Sequence, residues 1–306
     1  MPNRFPPDPR PLAPLPPELP PLTAWPSIDE AAAEAVRRFT TPPPTTRRSH
    51  EAADRGRLPS WMRAADTTRL VPSAHGEVVA WRWGDVAAPA LACIHGWGGR
   101  AAQWAPTIEA ALAAGFQVVA CDAPGHGASD GTDAAMPAFR DGLLAAIDGF
   151  GIVPHALVGH SLGGLAVLAV AAALAERDAA AARALRLVSI GAPATVARPL
   201  ERFVARHRAS EAVTAAMLAR FEARWATRFA DMETEALHAR CIAAGGVPSL
   251  LVLHALDDEQ VPVAEAGYLA SLWPGATLQL VERGGHSALL RDPALVARIL
   301  DGAGAR

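Results

Sequence analysis

The stretch VGHSLGG, residues 158–164, sets a serine between glycines. An apolar run precedes it (Ala156, Leu157, Val158) and an Ala-rich run comes after it. Read as strand, turn and helix, it puts Ser161 at the carboxyl end of a buried strand, where open parallel sheets bind their ligands. Gly159 and Gly163 leave room for a sharp turn that side chains would obstruct. Such a turn lifts the serine clear of the sheet and aims it at the next helix N-terminus. Unpaired N–H groups and the helix dipole favour negative charge there, which is what the oxyanion of a tetrahedral acyl intermediate requires. The same residues also suit a plain strand-to-helix turn with a capping serine.

A serine hydroxyl is a weak nucleophile near neutral pH and needs a base. Of the ten histidines, His286 is the best placed. It stands next to Gly284 and Gly285, directly after the last strand-like run, TLQLVERGGH. A base of this kind needs a carboxylate to hold its tautomer and to stabilise the imidazolium. LHALDDEQVP supplies Asp258 as the choice and Asp257 as the alternative; a solvated acidic turn is the plainer reading of the pair. Two oxyanion donors are expected: the N–H of Leu162, directly after the serine, and the N–H of Trp97 in the loop IHGWGGR. His95, Gly96 and His160 are placed on the substrate side, with His160 expected to support the turn by packing or hydrogen bonding. The Trp97 indole either walls an acyl pocket or packs on the surface. His126 and His254 also fall at strand ends, whereas His75, His155, His207 and His238 have no such context and His50 lies in the N-terminal extension.

These residues need a frame, and from about Thr67 the pattern provides one. TTRLVP and EVVAWRW read as two strands around Ser73-Ala74-His75-Gly76. Strand-like runs then alternate with helical ones: PALACIHG, a helix over 101–114, FQVVACDAPGHG, a helix over 137–149, HALVGHS, a helix over 162–177, RLVSIGAP, SLLVLHALDD, a helix after Val261, TLQLVERGGH, and a helix over 293–300. Short apolar strands alternating with helices imply an α/β protein with a mostly parallel central sheet covered on both faces. Residues 194–245 break the alternation with helical patterns alone and read as a helical insertion. Residues 1–66 read as a proline-rich arm, with 11 prolines in the first 26 residues, and a helix at SIDEAAAEAVRRF begun by Ser27 and Glu30 at capping-box spacing. The core is then 67–193 and 246–306.

Composition narrows the classes. A chain of 306 residues, 51% hydrophobic and of net charge -3, suits one sizeable core with an insertion. It offers neither nucleic acid nor an anionic membrane a basic face. All 28 basic residues are Arg, a coding bias with no functional content. Cys93, Cys121 and Cys241 form no CxxC pair and read as buried small hydrophobes. No run approaches the roughly 18 apolar residues of a membrane span, and a cytoplasmic location is the expectation. No metal-ligand cluster such as HExxH occurs.

Taken together, these residues resemble the α/β-hydrolase fold family, over about residues 67–306. The order Ser161, Asp258, His286 is the family's order. HGWGG at 95–99 is similar to its oxyanion loop, DAPGHGASDG at 122–131 to its D-x-x-G-x-G-x-S loop, GHSLGG at 159–164 to its nucleophile turn, HALDDEQVP at 254–262 to its acid segment, and GGH at 284–286 to its histidine loop. Ala255 stands where many relatives carry Gly. The resemblance implies an α/β-hydrolase fold with 194–245 as a helical cap. It also implies a serine hydrolase acting without cofactor or metal on a small-molecule acyl substrate, most simply a carboxylic ester. The same three residues serve acyltransferases, thioesterases, C–C hydrolases and perhydrolases, and a non-catalytic binding protein on this fold is the reading from a different class.

Overall fold

The computed structural model describes residues 19–43 and 65–304. The expected proline-rich arm over 1–18 and the segment 44–64 lie outside the described residues. The chain divides into two compact units. One takes the residues up to Phe39 with Ala197–Phe229; the other takes Thr40–Val196 with Ala230–Arg306.

The larger unit is built on an eight-stranded sheet: β1 (Thr67–Ser73), β2 (Gly76–Trp83), β3 (Ala90–Ile94), β4 (Gln117–Cys121), β5 (Pro154–His160), β6 (Arg186–Ile190), β7 (Ser249–Ala255) and β8 (Thr277–Val281). Their spatial order is β1-β2-β4-β3-β5-β6-β7-β8. β1–β2 and β2–β4 pair antiparallel and every later pair is parallel. Strands β3 and β4 are buried at every residue, which is why they read as continuous apolar runs rather than alternating ones. The register aligns the carboxyl ends. Ile94 pairs with Gly159, His160 with Ile190, Ile190 with Leu253, and Ala255 with Val281. The loops after β3, β5, β6, β7 and β8 therefore emerge along one edge.

Crossovers separate the parallel strands. A 3-10 turn at Ala101–Trp104 feeds α2 (Ala105–Ala113), so the helix expected over 101–114 opens tight, with a proline in its first turn. α3 (Met136–Phe150) and α4 (Leu162–Arg177) flank β5. α4 is apolar almost throughout, with its Gly and Ala positions buried; small residues let a helix lie close to the strands beneath it. A short α5 (Ala179–Ala184) was not legible in the sequence. Asp178 begins it by accepting from the amides of Ala180 and Ala181. α8 (Thr234–Ala244), α9 (Val263–Leu272) and α10 (Pro293–Gly302) complete the unit. All three cysteines are free and buried.

The smaller unit packs α1 (Ile28–Thr40) with α6 (Ala197–His207) and α7 (Glu211–Trp225). Leu22, Ala31, Ala32, Ala35, Leu200, Val213 and Met217 form its core. Phe39 meets Phe203 and Phe221 edge-on, with ring centroids 5.2 and 6.2 Å apart. At the start of α1, the Glu30 amide donates to Ser27 Oγ, and that hydroxyl donates to the Glu30 carboxylate. The units cut the chain differently from the sequence boundaries: α1 groups with α6 and α7, whereas α8, inside the expected 194–245 insertion, groups with the sheet. Thr234 anchors α8 by donating from Oγ1 to the Ala194 carbonyl (2.6 Å). Among the described residues no helix is long and apolar enough to cross a membrane.

Candidate functional site

Ser161 is the single residue between β5 and α4. Its φ of 54° and ψ of -123° make it one of three non-glycine residues with positive φ among the described residues. A side-chain residue in this region carries strain that surrounding contacts must hold. Here the Ser161 N–H donates to the Ile190 carbonyl and its own carbonyl accepts from Gly164, both at 2.8 Å. The glycines allow it. A Cβ on Gly159 would overlap the Gly163 carbonyl, and one on Gly163 would overlap the carbonyls of Ile94 and His95. The helix start thus presses on the end of β3. Leu162, as the first helical residue, has an N–H with no partner inside the helix.

The loop after β3 abuts this turn. A Cβ built on Gly96 would stand 2.7 Å from Ser161 Cβ and 2.9 Å from the His160 carbonyl. His95 is fully buried and uses both ring nitrogens on backbone. Its Nδ1–H donates to the Gly96 carbonyl (2.7 Å), and its Nε2 accepts from the Ala123 amide (2.9 Å). Burial, with His126 nearby, holds its pKa well below the ordinary imidazole value. No His95 nitrogen remains to face a ligand, so its place is one of support. Trp97 is 36% exposed, with its ring edge-on to His126 at 5.5 Å.

His286 comes from the loop after β8 and Asp258 from the loop after β7. Their side chains meet, with His286 Nδ1 2.8 Å from Asp258 Oδ2. The other carboxylate oxygen, Oδ1, accepts from the amides of Gln260 (2.8 Å) and Val261 (2.9 Å). Burial pushes the Asp258 carboxyl up, but the His286 bond and these amides outweigh it and hold the pKa below the ordinary value. Asp257 does not reach His286; its Oδ1 accepts from the Gly285 amide (2.8 Å) and so braces the histidine loop. Gly285 has φ 49°, a conformation in which glycine is at ease.

His160 ties the two halves together. Its Nε2–H donates to the His286 carbonyl (2.7 Å), its ring lies tilted against the His286 ring with centroids 4.7 Å apart, and Gln103 approaches its Nδ1 at 3.5 Å. Burial, then the neighbouring His286, lowers its pKa to about 4. Placed on the substrate side by the sequence and expected to support the turn by packing or hydrogen bonding, it is buried and engaged with His286. No hydrogen bond joins Ser161 Oγ to His286 among the described residues. Such bonds are often long in unliganded enzymes and tighten when substrate binds.

Sequence reasoning gave no individual role to three contributors. Gly191, after β6, has φ 57°, and a Cβ there would lie 3.5 Å from both Asp258 Oδ2 and His286 Nδ1. Its signal was the glycine of RLVSIGAP at a strand end. His254 is fully buried, donates from Nε2 to the Val261 carbonyl (3.1 Å), and lies 3.5 Å from Asp258 Oδ2. Asp122 is buried and accepts from the amides of Ala101 (2.7 Å) and Ala128 (2.8 Å), fixing the loop after β4. Burial raises its pKa to about 6 against the pull of those amides. Among the described residues no group of three or more His, Cys, Asp and Glu is placed to hold a metal ion.

Solved structures share this frame. An esterase, RhEst1, from Rhodococcus sp. ECU1013 is 22% identical, with 78% of this chain and 99% of that chain aligned at a TM-score of 0.54. Naproxen esterase (carboxylesterase NP) from Bacillus subtilis is 17% identical over 77% and 90% of the two chains, at 0.53. A hydrolase from Pseudomonas aeruginosa PA01 is 19% identical over 79% and 100%, at 0.54. Identities this low carry the fold alone. The family model described as alpha/beta hydrolase family matches residues 91–299, a span that runs from β3 through His286 into α10. With the strand order and the loops along one sheet edge, that match shows that the chain belongs to the alpha/beta hydrolase family.

Proposed function

We propose that the protein is a serine hydrolase that cleaves a carboxylic ester, or a related acyl bond, of a small molecule. The observation that carries this reading is the 2.8 Å bond from His286 Nδ1 to Asp258 Oδ2, on the same sheet edge as the strained Ser161 turn. A histidine bonded to a carboxylate through Nδ1–H presents an unprotonated Nε2, the atom a general base needs.

In this reading His286 Nε2 takes the Ser161 proton as Oγ attacks the acyl carbon. The N–H groups of Leu162 and Trp97 hold the oxyanion. The C–O bond to the alcohol breaks as His286 gives that oxygen its proton. Water, deprotonated by His286, then attacks the acyl-serine. The carboxylic acid leaves and Ser161 recovers its proton. Asp258 remains ionised throughout, as its lowered pKa allows. No step calls on a cofactor, and a cytoplasmic setting belongs to the same proposal.

A fluorophosphonate probe tests it. Wild type is expected to label, and Ser161→Ala and His286→Ala to lose labelling while remaining folded. Hydrolysis of p-nitrophenyl esters is expected to fall by about 10⁴–10⁶ in either variant, because the residues act as a unit. Folded wild type that neither labels nor hydrolyses any ester in a chain-length series would overturn the reading. Product analysis with added alcohols or thiols separates hydrolysis from acyl transfer.

A further inference from the structure

Outside the Ser161, Asp258 and His286 set, two fully buried imidazoles meet between the loop after β3 and the loop after β4. His126, from DAPGHG, is fully buried. The Gly98 amide donates to its Nε2 (3.1 Å), and its Nδ1 lies 3.1 Å from the Pro124 carbonyl. An N–H faces one nitrogen and a carbonyl faces the other, so the neutral ring carries its proton on Nδ1. His95 mirrors it. Its Nδ1–H serves the carbonyl of its neighbour Gly96, and its Nε2 accepts from Ala123, in the opposite loop. Each loop thus sends one histidine to take an amide of the other, with ring centroids 5.1 Å apart and Phe139 edge-on to both.

The geometry fixes two successive peptide planes. A trans peptide is planar, with its C=O and N–H pointing in opposite directions. The plane that bears the Trp97 N–H also bears the Gly96 carbonyl, held by His95 Nδ1–H and by the Gly99 amide (2.9 Å). The next plane bears the Gly98 N–H, held by His126 Nε2. Rotation of the Trp97 N–H away from its present direction must break one of these bonds. We propose that His126 is a positioning residue of the oxyanion loop: through the Gly98 amide it locks the Trp97 peptide in the orientation that receives the developing oxyanion. This rests on the serine hydrolase proposal. The lock costs nothing at the moment of reaction because it is already made, which is the condition under which oxyanion donors are most effective.

The experiment compares wild type with His126→Leu and His126→Gln in the full chain. Assays are p-nitrophenyl ester hydrolysis, inhibition by phenylboronic acid, which makes a tetrahedral adduct on serine, and imidazole ¹⁵N NMR. Outright loss of one oxyanion donor costs about 10²–10³ in kcat. His126→Leu, which loosens a donor, is expected to lower kcat about tenfold to a hundredfold and leave KM within about twofold. Boronate inhibition should weaken by the factor lost from kcat. His126→Gln keeps an acceptor and is expected to recover most of the loss. The wild-type His126 ring should show the Nδ1–H tautomer, a readout that needs no variant to fold. An active wild type with the Nε2–H tautomer, or with kcat unchanged in His126→Leu, or with His126→Gln no better than Leu, would overturn the positioning role and leave the hydrolase reading intact. An inert wild type with the Nδ1–H tautomer would overturn the hydrolase reading, and the oxyanion role with it, while keeping the loop contact.

Discussion

Asp258→Asn replaces one oxygen by NH₂, and the surroundings decide which one. Oδ1 accepts from two amides, Gln260 at 2.8 Å and Val261 at 2.9 Å. An NH₂ group there would face two N–H donors, so the amide oxygen must occupy that position. The NH₂ then falls at Oδ2, which lies 2.8 Å from His286 Nδ1 and 3.5 Å from His254 Nε2. Donor now meets donor, and His286 escapes by moving its proton to Nε2, so that Nδ1 accepts. The ring keeps its place and loses its function, because a protonated Nε2 cannot take a proton from Ser161. The same carboxylate-to-amide change in the well-studied serine protease triad costs about 10⁴ in kcat, equivalent to about 5.5 kcal/mol of barrier. A loss of that order is expected here in p-nitrophenyl ester turnover, with the fold retained by circular dichroism. The paired control is Asp257→Asn. Its oxygen still accepts from the Gly285 amide, and turnover is expected within about fivefold of wild type. Activity of Asp258→Asn within tenfold of wild type, or a larger loss in Asp257→Asn, would refute the assignment of the acid.

The Ser161 turn makes a stability prediction independent of catalysis. Ser161→Gly removes the positive-φ strain that Ser161→Ala retains, so the glycine variant should be the more stable by about 1–3 kcal/mol, seen as a Tm higher by several degrees; equal melting would deny the strain. Gly163→Ala drives a Cβ into the backbone carbonyls of Ile94 and His95. It is expected to cost about 1–3 kcal/mol or more, and a wild-type urea midpoint would contradict the packing described. Acidification should also weaken the fold. His160 is held neutral down to about 4, below the ordinary 6.5, so the unfolded chain binds more protons than the folded one between those values. Its stabilisation is complete above pH 6.5 and is lost as pH falls toward 4. His160→Gln should remove up to one proton of slope, about 1.4 kcal/mol per pH unit, from urea stability measured across that window; an unchanged slope would show that other groups carry it.

The sheet and its chemistry-bearing edge were legible because both depend on local pattern. HALVGHS announces a strand by its apolar run, and the Ala-rich stretch after Ser161 announces a helix. The structure starts α4 at Leu162 and ends it at Arg177, as read. The runs before Gly96, Ser161 and Asp258 gave their loops' positions because parallel strands in register end together. Asp258 was the choice and Asp257 the alternative, and of the two it is Asp258 that reaches His286 in the structure. What stayed hidden is tertiary. The grouping of α1 with α6 and α7 depends on Phe39 meeting Phe203 and Phe221, each more than 160 positions away from it in sequence and joined to it only in space. α5 carries no apolar periodicity over its six residues, so its one signal was the cap at Asp178.

The histidines show why residue type and loop position were insufficient to assign roles. His95, His160 and His254 all sit at strand ends beside Ser161, Asp258 and His286, and the sequence placed the first two on the substrate side. In the structure each spends Nε2 on backbone: His95 accepts from the Ala123 amide, His160 donates to the His286 carbonyl, and His254 donates to the Val261 carbonyl. Burial drives all three below the ordinary imidazole pKa and so favours their neutral form. A neutral, buried ring is a rigid two-ended connector, able to give a proton to a carbonyl on one side and take an amide on the other. A charged or exposed one would lose its acceptor end and its fixed direction. The arrangement therefore separates the labour by solvent access. Rings sealed in the sheet edge hold loop backbone in place, while His286, with its Nδ1 bonded to the Asp258 carboxylate, is the ring that the proposed reaction uses to move protons.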